Sequence, residues 1–126
     1  MSTNTSTAFN YGIDVLTVQK TIAIANGKIK AGFNAKAIEQ IQASQQAVQD
    51  IVDSERTVYG VNTGFGILAN KPISAADTAT LQYKILQSHS VGVGDAIPAE
   101  VAKIKVITKV QARAKGYSGV EFTNLQ

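Results

Sequence analysis

Apolar residues recur at helical spacing over four stretches of the chain, separated by short polar or glycine-containing breaks. In "AKAIEQIQASQQAVQDIVDSE", residues 35–55, Ile38, Ile41, Val48 and Val52 form one stripe and Ile51 widens it, so the run predicts an amphipathic helix with glutamines on its wet face. Asn34 stands where it can cap that helix. An earlier helix is predicted over Val18–Ala25, with Thr17 as N-cap and Asn26-Gly27 as the stop. A third opens at Ser74, with Asp77 at the capping-box position where Glu or Gln is usual, and runs through "AADTATLQYKILQSHS" to Gly92. The fourth starts with Pro98 at its first helical position and stops at Gly116. Between the first two, "KIKAGF" predicts a short strand pairing with residues near 9–13. The expected fold is mainly α: one small domain of about four helices with a minor β-hairpin over residues 11–126, after a flexible polar tail, residues 1–10.

Composition narrows the class without naming an activity. The chain has 126 residues, 44% hydrophobic and 17% charged, which is the profile of neither a disordered tail nor a membrane protein. The lack of cysteine excludes a disulfide scaffold and a thiolate metal site. No apolar run approaches the roughly 18 residues of a membrane span, and "MSTNTSTAFN" lacks the basic head and apolar middle of a secretory signal. The expected location is cytoplasmic.

The net charge of +3 is unevenly placed. Residues 98–115 carry Lys103, Lys105, Lys109, Arg113 and Lys115 against Glu100 alone, a local +4 that leaves −1 for the rest. A nucleic-acid site would want aromatic or amide partners on the same face, and only Tyr117 is close. A membrane-surface helix would want bulky Leu, Phe or Trp opposite the lysines, where this one has Val, Ile and Ala. A solvated helix face is the expectation, with neither nucleic acid nor membrane as partner.

Candidate chemistry concentrates at two glycine-rich helix connections, "YGVNTGFGILA" and "SVGVGDAIP". Glycine costs conformational entropy on folding and belongs where the backbone takes positive φ or approaches something closely. Neither stretch supplies a phosphate-binding G-x-x-x-x-G-K-[ST] or a strand-to-helix G-x-G-x-x-G, and the chain contains no G-x-S-x-G. His89 is the only histidine, so no metal-ligand cluster is expected. From position alone it reads as a polar group at a helix C-terminus, and Tyr59 as an aromatic anchor at the start of a loop.

The motifs "YGVNTGFGILA", "ISAADTATLQYKILQSHSVGVG" and "AKGYSGV", in this order and spacing, resemble the N-terminal part of histidine ammonia-lyase and its aromatic amino-acid ammonia-lyase relatives. The resemblance runs over residues 14–120. It implies a mobile active-site loop in which Tyr59 is the base that takes a β-proton and Gly60, Gly64 and Gly66, with Asn62, Thr63 and Phe65, belong to the substrate loop that closes as a lid. It places His89 against the substrate side chain, which favours imidazole first and phenol second over a plain phenyl ring. The implied parent reaction is L-histidine to urocanate plus ammonia, with a tyrosine ammonia-lyase or aminomutase as the lesser alternative.

Two departures accompany the resemblance. The family's electrophile is a methylidene-imidazolone formed from an internal Ala-Ser-Gly, and no Ala-Ser-Gly occurs in this chain; Ala43-Ser44-Gln45 and Tyr117-Ser118-Gly119 each lack one member. The cofactor is therefore expected to be absent from this chain, which is expected to be an inactive truncated piece of a homotetrameric parent, itself a monomer or weak oligomer. The second departure is "VAKIKVITKVQARAKG", where Lys105, Thr108 and Arg113 stand at positions expected to be apolar in the family's helical bundle. A former interface made polar, by selection or by engineering, accounts for them, and a non-catalytic stand-alone module is the alternative. On this reading Val106, Ile107, Val110 and Ala114 form the buried side of the fourth helix, and the Lys103 stem runs along the edge of the core.

Overall fold

The computed structural model describes residues 8–54, 56–64 and 73–126. Among them the element order is β1 (Phe9–Asn10), α1 (Val18–Ala25), β2 (Ala31–Gly32), α2 (Ala35–Asp53), α3 (Ala75–His89), α4 (Ala99–Arg113) and a closing 3-10 turn (Phe122–Leu125). The chain divides into two compact units, one made of residues 1–46 and 97–126, the other of residues 47–96, and α2 runs from the first into the second.

The helix ends follow side-chain chemistry visible in the sequence. Thr17 accepts the Lys20 amide at 3.2 Å and starts α1. Its end is a Schellman turn: the amide of Gly27 donates to Ile24 and that of Lys28 to Ala23, with Gly27 at φ +70°. The Asn34 carboxamide oxygen accepts the Ala37 amide at 2.9 Å and starts α2. Ser74 caps α3 by accepting the Asp77 amide at 3.1 Å, and its hydroxyl donates to the Asp77 carboxylate at 2.7 Å. Pro98, expected one position later, occupies the N-cap of α4, with ψ 138° holding it outside the helix.

The two strands are those expected, but their pairing is parallel, Phe9 opposite Ala31 and Asn10 opposite Gly32. They are not a hairpin. A hairpin needs a tight turn, whereas here α1 lies between the strands and carries the chain back in the same direction, making a small β-α-β unit. The tail boundary also moves, because Phe9, placed in the flexible tail, is 1% exposed at the centre of the core.

That core belongs to the first unit. Phe9 and Ile41 are its largest fully enclosed side chains, packed with Tyr11, Ala25, Ile107, Ala114 and Leu125. An aromatic chain runs through it: Phe9 meets Tyr11 edge-on at 5.5 Å, Tyr11 tilts against Phe33 at 5.5 Å, and Phe33 meets Phe122 edge-on at 5.3 Å.

On α4 the buried sector is rotated from the expected one. Ile107 and Ala114 are buried and Val110 half-buried, as expected, but Val106 is 62% exposed. Gln111 takes the buried place instead, because its carboxamide is fully used by the backbone of residues 12 and 14. Lys105 and Thr108 face solvent, while Arg113 is half-buried.

Candidate functional site

The residues singled out in the sequence fall in the second unit. After α2 ends at Asp53, the segment 56–64 makes a single turn in which the amides of Val61 and Asn62 both donate to the Val58 carbonyl, at 3.1 and 3.3 Å. Tyr59 and Gly60 form the tip. Gly60 sits at φ +79°, in the left-handed region that a side chain disfavours, so this glycine is required by the turn itself. Tyr59 beside it is 66% exposed, with its ring outside the packed part of the turn.

Under the tip the polar side chains point inward. Asn62 and Thr63 are 7% and 2% exposed, and Gly64 is buried with them. The Asn62 carboxamide accepts the Val58 amide at 2.9 Å and donates to the Arg56 carbonyl at 2.7 Å. Its own carbonyl accepts the Ile73 amide at 3.0 Å, so the chain leaving the turn and the chain approaching α3 meet at this residue. The Thr63 hydroxyl accepts from the Gly60 amide at 3.3 Å and donates to the Gly64 carbonyl at 3.0 Å. Phe65 and Gly66, the remaining loop candidates, lie outside the described residues, as does most of the span expected to act as a lid.

His89 closes α3. Its Nδ1 lies 3.0 Å from the Ile85 carbonyl and 2.8 Å from the Ser88 hydroxyl, which itself donates to Ile85 at 3.1 Å. A carbonyl can only accept, so the Ile85 contact requires the proton on Nδ1 and leaves Nε2 as the acceptor of the neutral ring. The ring is exposed at the mouth of the second glycine-rich connection. No hydrogen bond or ring contact joins Tyr59 to His89 among the described residues.

The arrangement thus presents two separate exposed functional groups, a phenol on a stapled turn and an imidazole with one nitrogen committed to the helix. Sequence reasoning counted Asn62 among the loop residues but missed its bracing role. Only its low hydropathy inside a glycine-rich run hinted at it, since the partners are backbone atoms that no motif names. Among the described residues no group of three or more His, Asp or Glu is placed to hold a metal ion, and no helix is long and apolar enough to cross a membrane. A groove of about 770 Å³ in the first unit is lined by Ile24, Ala25, Ala102, Lys103, Val106 and Ile107 with the Asn26-Gly27 turn, and none of the candidate residues borders it.

Known proteins resemble the chain over nearly its whole length. The histidine ammonia-lyase of Streptococcus pyogenes serotype M1 is 38% identical over 111 residues, which are 88% of this chain and 22% of the relative. That of Vibrio vulnificus is 35% identical with the same coverage. Among solved structures, tyrosine aminomutase from Streptomyces globisporus superposes with a TM-score of 0.82 at 27% identity, over 93% of this chain and 22% of that one. Histidine ammonia-lyase from Trypanosoma cruzi gives 0.79 at 28% identity, over 94% and 22%. The chain therefore spans about a fifth of the length of the curated relatives it matches. The family model described as aromatic amino acid lyase matches residues 16–126, and with these likenesses it establishes that the chain belongs to the aromatic amino acid lyase family.

Proposed function

We propose that these residues supply the base-bearing turn and a ring-contacting histidine to a histidine ammonia-lyase-type site, in which L-histidine loses ammonia to give urocanate. The observation that carries this reading is Tyr59 held at the exposed tip of a turn whose other side chains are buried and bonded. In the reaction, the Tyr59 oxygen takes the β-proton, the C–H electron pair becomes the new carbon–carbon π bond, and the C–N pair leaves with ammonia. A phenol does this only with cationic groups or helix N-termini close by, and those come from outside the turn. His89, with its Nδ1 committed to Ile85, offers Nε2 to the N–H of a substrate imidazole or the hydroxyl of a phenol.

The family's electrophile is a methylidene-imidazolone made from Ala-Ser-Gly, a sequence these 126 residues do not contain. They therefore do not fit that group, and no step is assigned to it here. A positioned base alone is worth only about 10²–10⁴-fold, so the chain by itself is expected to be inactive. The test is urocanate absorbance with the purified chain, alone and mixed with a lyase segment that carries Ala-Ser-Gly and lacks the matching region. Turnover of L-histidine only in the mixture, lost with Tyr59→Phe, supports the reading. Turnover of L-tyrosine in its place moves the assignment to a tyrosine lyase or aminomutase, and turnover by the chain alone overturns the inactivity. A second reading, a non-catalytic module with a solubilised surface of natural or engineered origin, is favoured by the solvent-facing Lys105 and Thr108, and a mixture that never turns over would support it.

A further inference from the structure

We propose that Asn62 is a positioning residue for Tyr59: its carboxamide is a clasp that fixes the peptide preceding the tyrosine and joins the two ends of the loop. This rests on the reading of Tyr59 as the base. The argument begins with an imbalance of burial. Arg56, Thr57, Tyr59 and Gly60 are all exposed, yet Asn62, two residues past the tip, is 7% exposed. Burying an amide is unfavourable unless both ends are bonded, and here both are, to Val58 and to Arg56.

The placement of those bonds matters more than their number. Val58 immediately precedes Tyr59, and Asn62 holds both of its backbone polar groups: the Val58 amide donates to the Asn62 side chain, and the Val58 carbonyl accepts the Asn62 amide. On the other side of the tyrosine, the Gly60 amide donates to Thr63. The Tyr59 Cα is thus held between two anchored peptides. The Asn62 carbonyl also receives the Ile73 amide, so one residue ties segment 56–58 to the start of the chain leading into α3. The free energy that holds the tip comes from a single side chain with an acceptor and a donor on one planar group.

That chemistry is specific to a carboxamide of this length. A carboxylate keeps the acceptor for Val58 but puts an anionic oxygen against the Arg56 carbonyl, and an alanine satisfies neither backbone group. The core side chains of the first unit are separate residues with their own contacts, so loss of the clasp loosens the tip and leaves that core intact.

The experiment compares the 126-residue chain with its Asn62→Ala and Asn62→Asp variants by amide hydrogen exchange and backbone relaxation. Exchange at Val58 and Ile73 is expected to accelerate about tenfold or more in Asn62→Ala, in line with one or more lost hydrogen bonds, while the order parameter of the Tyr59 amide falls. Asn62→Asp should loosen Tyr59 as well, and α1 and α4 should keep their protection in both. In the reconstituted mixture, kcat should fall with KM little changed, and Tyr59→Phe should cost less in the Asn62→Ala background than in the parent chain. Unchanged exchange at Val58 and Ile73, an unchanged Tyr59 order parameter, or loss of protection throughout α1 and α4 would each overturn the proposal. The exchange and relaxation readouts need no turnover, so a mixture that never becomes active counts against the proposed function and leaves the clasp to be decided by them.

Discussion

Gly12 and Gln111, 99 positions apart, are joined by a 3.0 Å hydrogen bond in which the glycine amide donates to the carboxamide oxygen. The other end of Gln111 donates to the Asp14 carbonyl at 2.9 Å, so α4 is stapled across the turn that follows β1. Replacing Gln111 by leucine leaves two backbone groups without their partners. The expected loss is about 1–3 kcal/mol, read as a lower urea midpoint at unchanged slope. Gln111→Glu keeps the acceptor for Gly12 but sets a carboxylate against the Asp14 carbonyl, and it should lose more than the leucine variant at neutral pH. A leucine variant as stable as the parent would show that the staple contributes nothing.

Gly12 and Gly60 both take positive φ, +80° and +79°, and differ in what surrounds them. A Cβ at Gly60 meets nothing within 4 Å, so Gly60→Ala should cost only the strain of the left-handed backbone, about 1–2 kcal/mol. At Gly12 the same atom would collide with the Ala114 carbonyl in addition, and backbone cannot rotate away as a side chain can. Gly12→Ala should therefore exceed about 3 kcal/mol, the strain and the overpacking together. Thermal melts of the two variants check the order, and equal midpoints would contradict it.

Burial pushes the Tyr11 phenol pKa above its ordinary 10.0. Its folded-state pKa then exceeds the unfolded one, so the unfolded chain loses this proton first as pH rises. Tyr11's contribution is fully present below pH 10.0 and is lost as pH climbs through the raised folded value. Tyr11→Phe should behave like the parent at pH 7 and lose less stability above pH 10.0. Urea midpoints of both chains across pH 7 to 11 test the difference, in which the exposed tyrosines and the lysines cancel. Parallel curves would show that the Tyr11 phenol ionises equally well in both states.

Val106 and Ile107 are neighbours on α4 with opposite surroundings, 62% and 8% exposed. Ile107→Ala should cost about 2–5 kcal/mol, the usual range for a truncated core aliphatic. Val106→Thr should stay within about 0.5 kcal/mol and, by making the groove lining more polar, lower dye binding to apolar surface. Leucine at Lys105 and Thr108 should act in the other direction, extending the exposed apolar surface and shifting the chain toward oligomers. Sedimentation at high concentration reads both effects, and a leucine pair that stayed monomeric would count against a guarding role for these two polar residues.

Local chemistry was legible in the chain alone. Thr17, Asn34 and Ser74 cap the helices they were expected to cap, because an N-cap depends on one side chain and an amide two or three residues away. The family was legible for a related reason: Tyr59 to Gly66 and the run to His89 carry residue types at fixed spacing that simple helix-forming sequence does not produce. Tertiary structure decided whatever depends on residues far apart. Hydropathy marks Phe9 as apolar but cannot say that its strand pairs with Ala31 in parallel, since strand direction follows from where α1 returns the chain. It marks Gln111 as polar and Val106 as apolar, and their burial is reversed, because a backbone 97 to 99 residues away satisfies the glutamine while nothing covers the valine. Asn62 obeys the same rule at shorter range: its motif announced a loop, and only the folded backbone of Arg56, Val58 and Ile73 shows what the carboxamide holds.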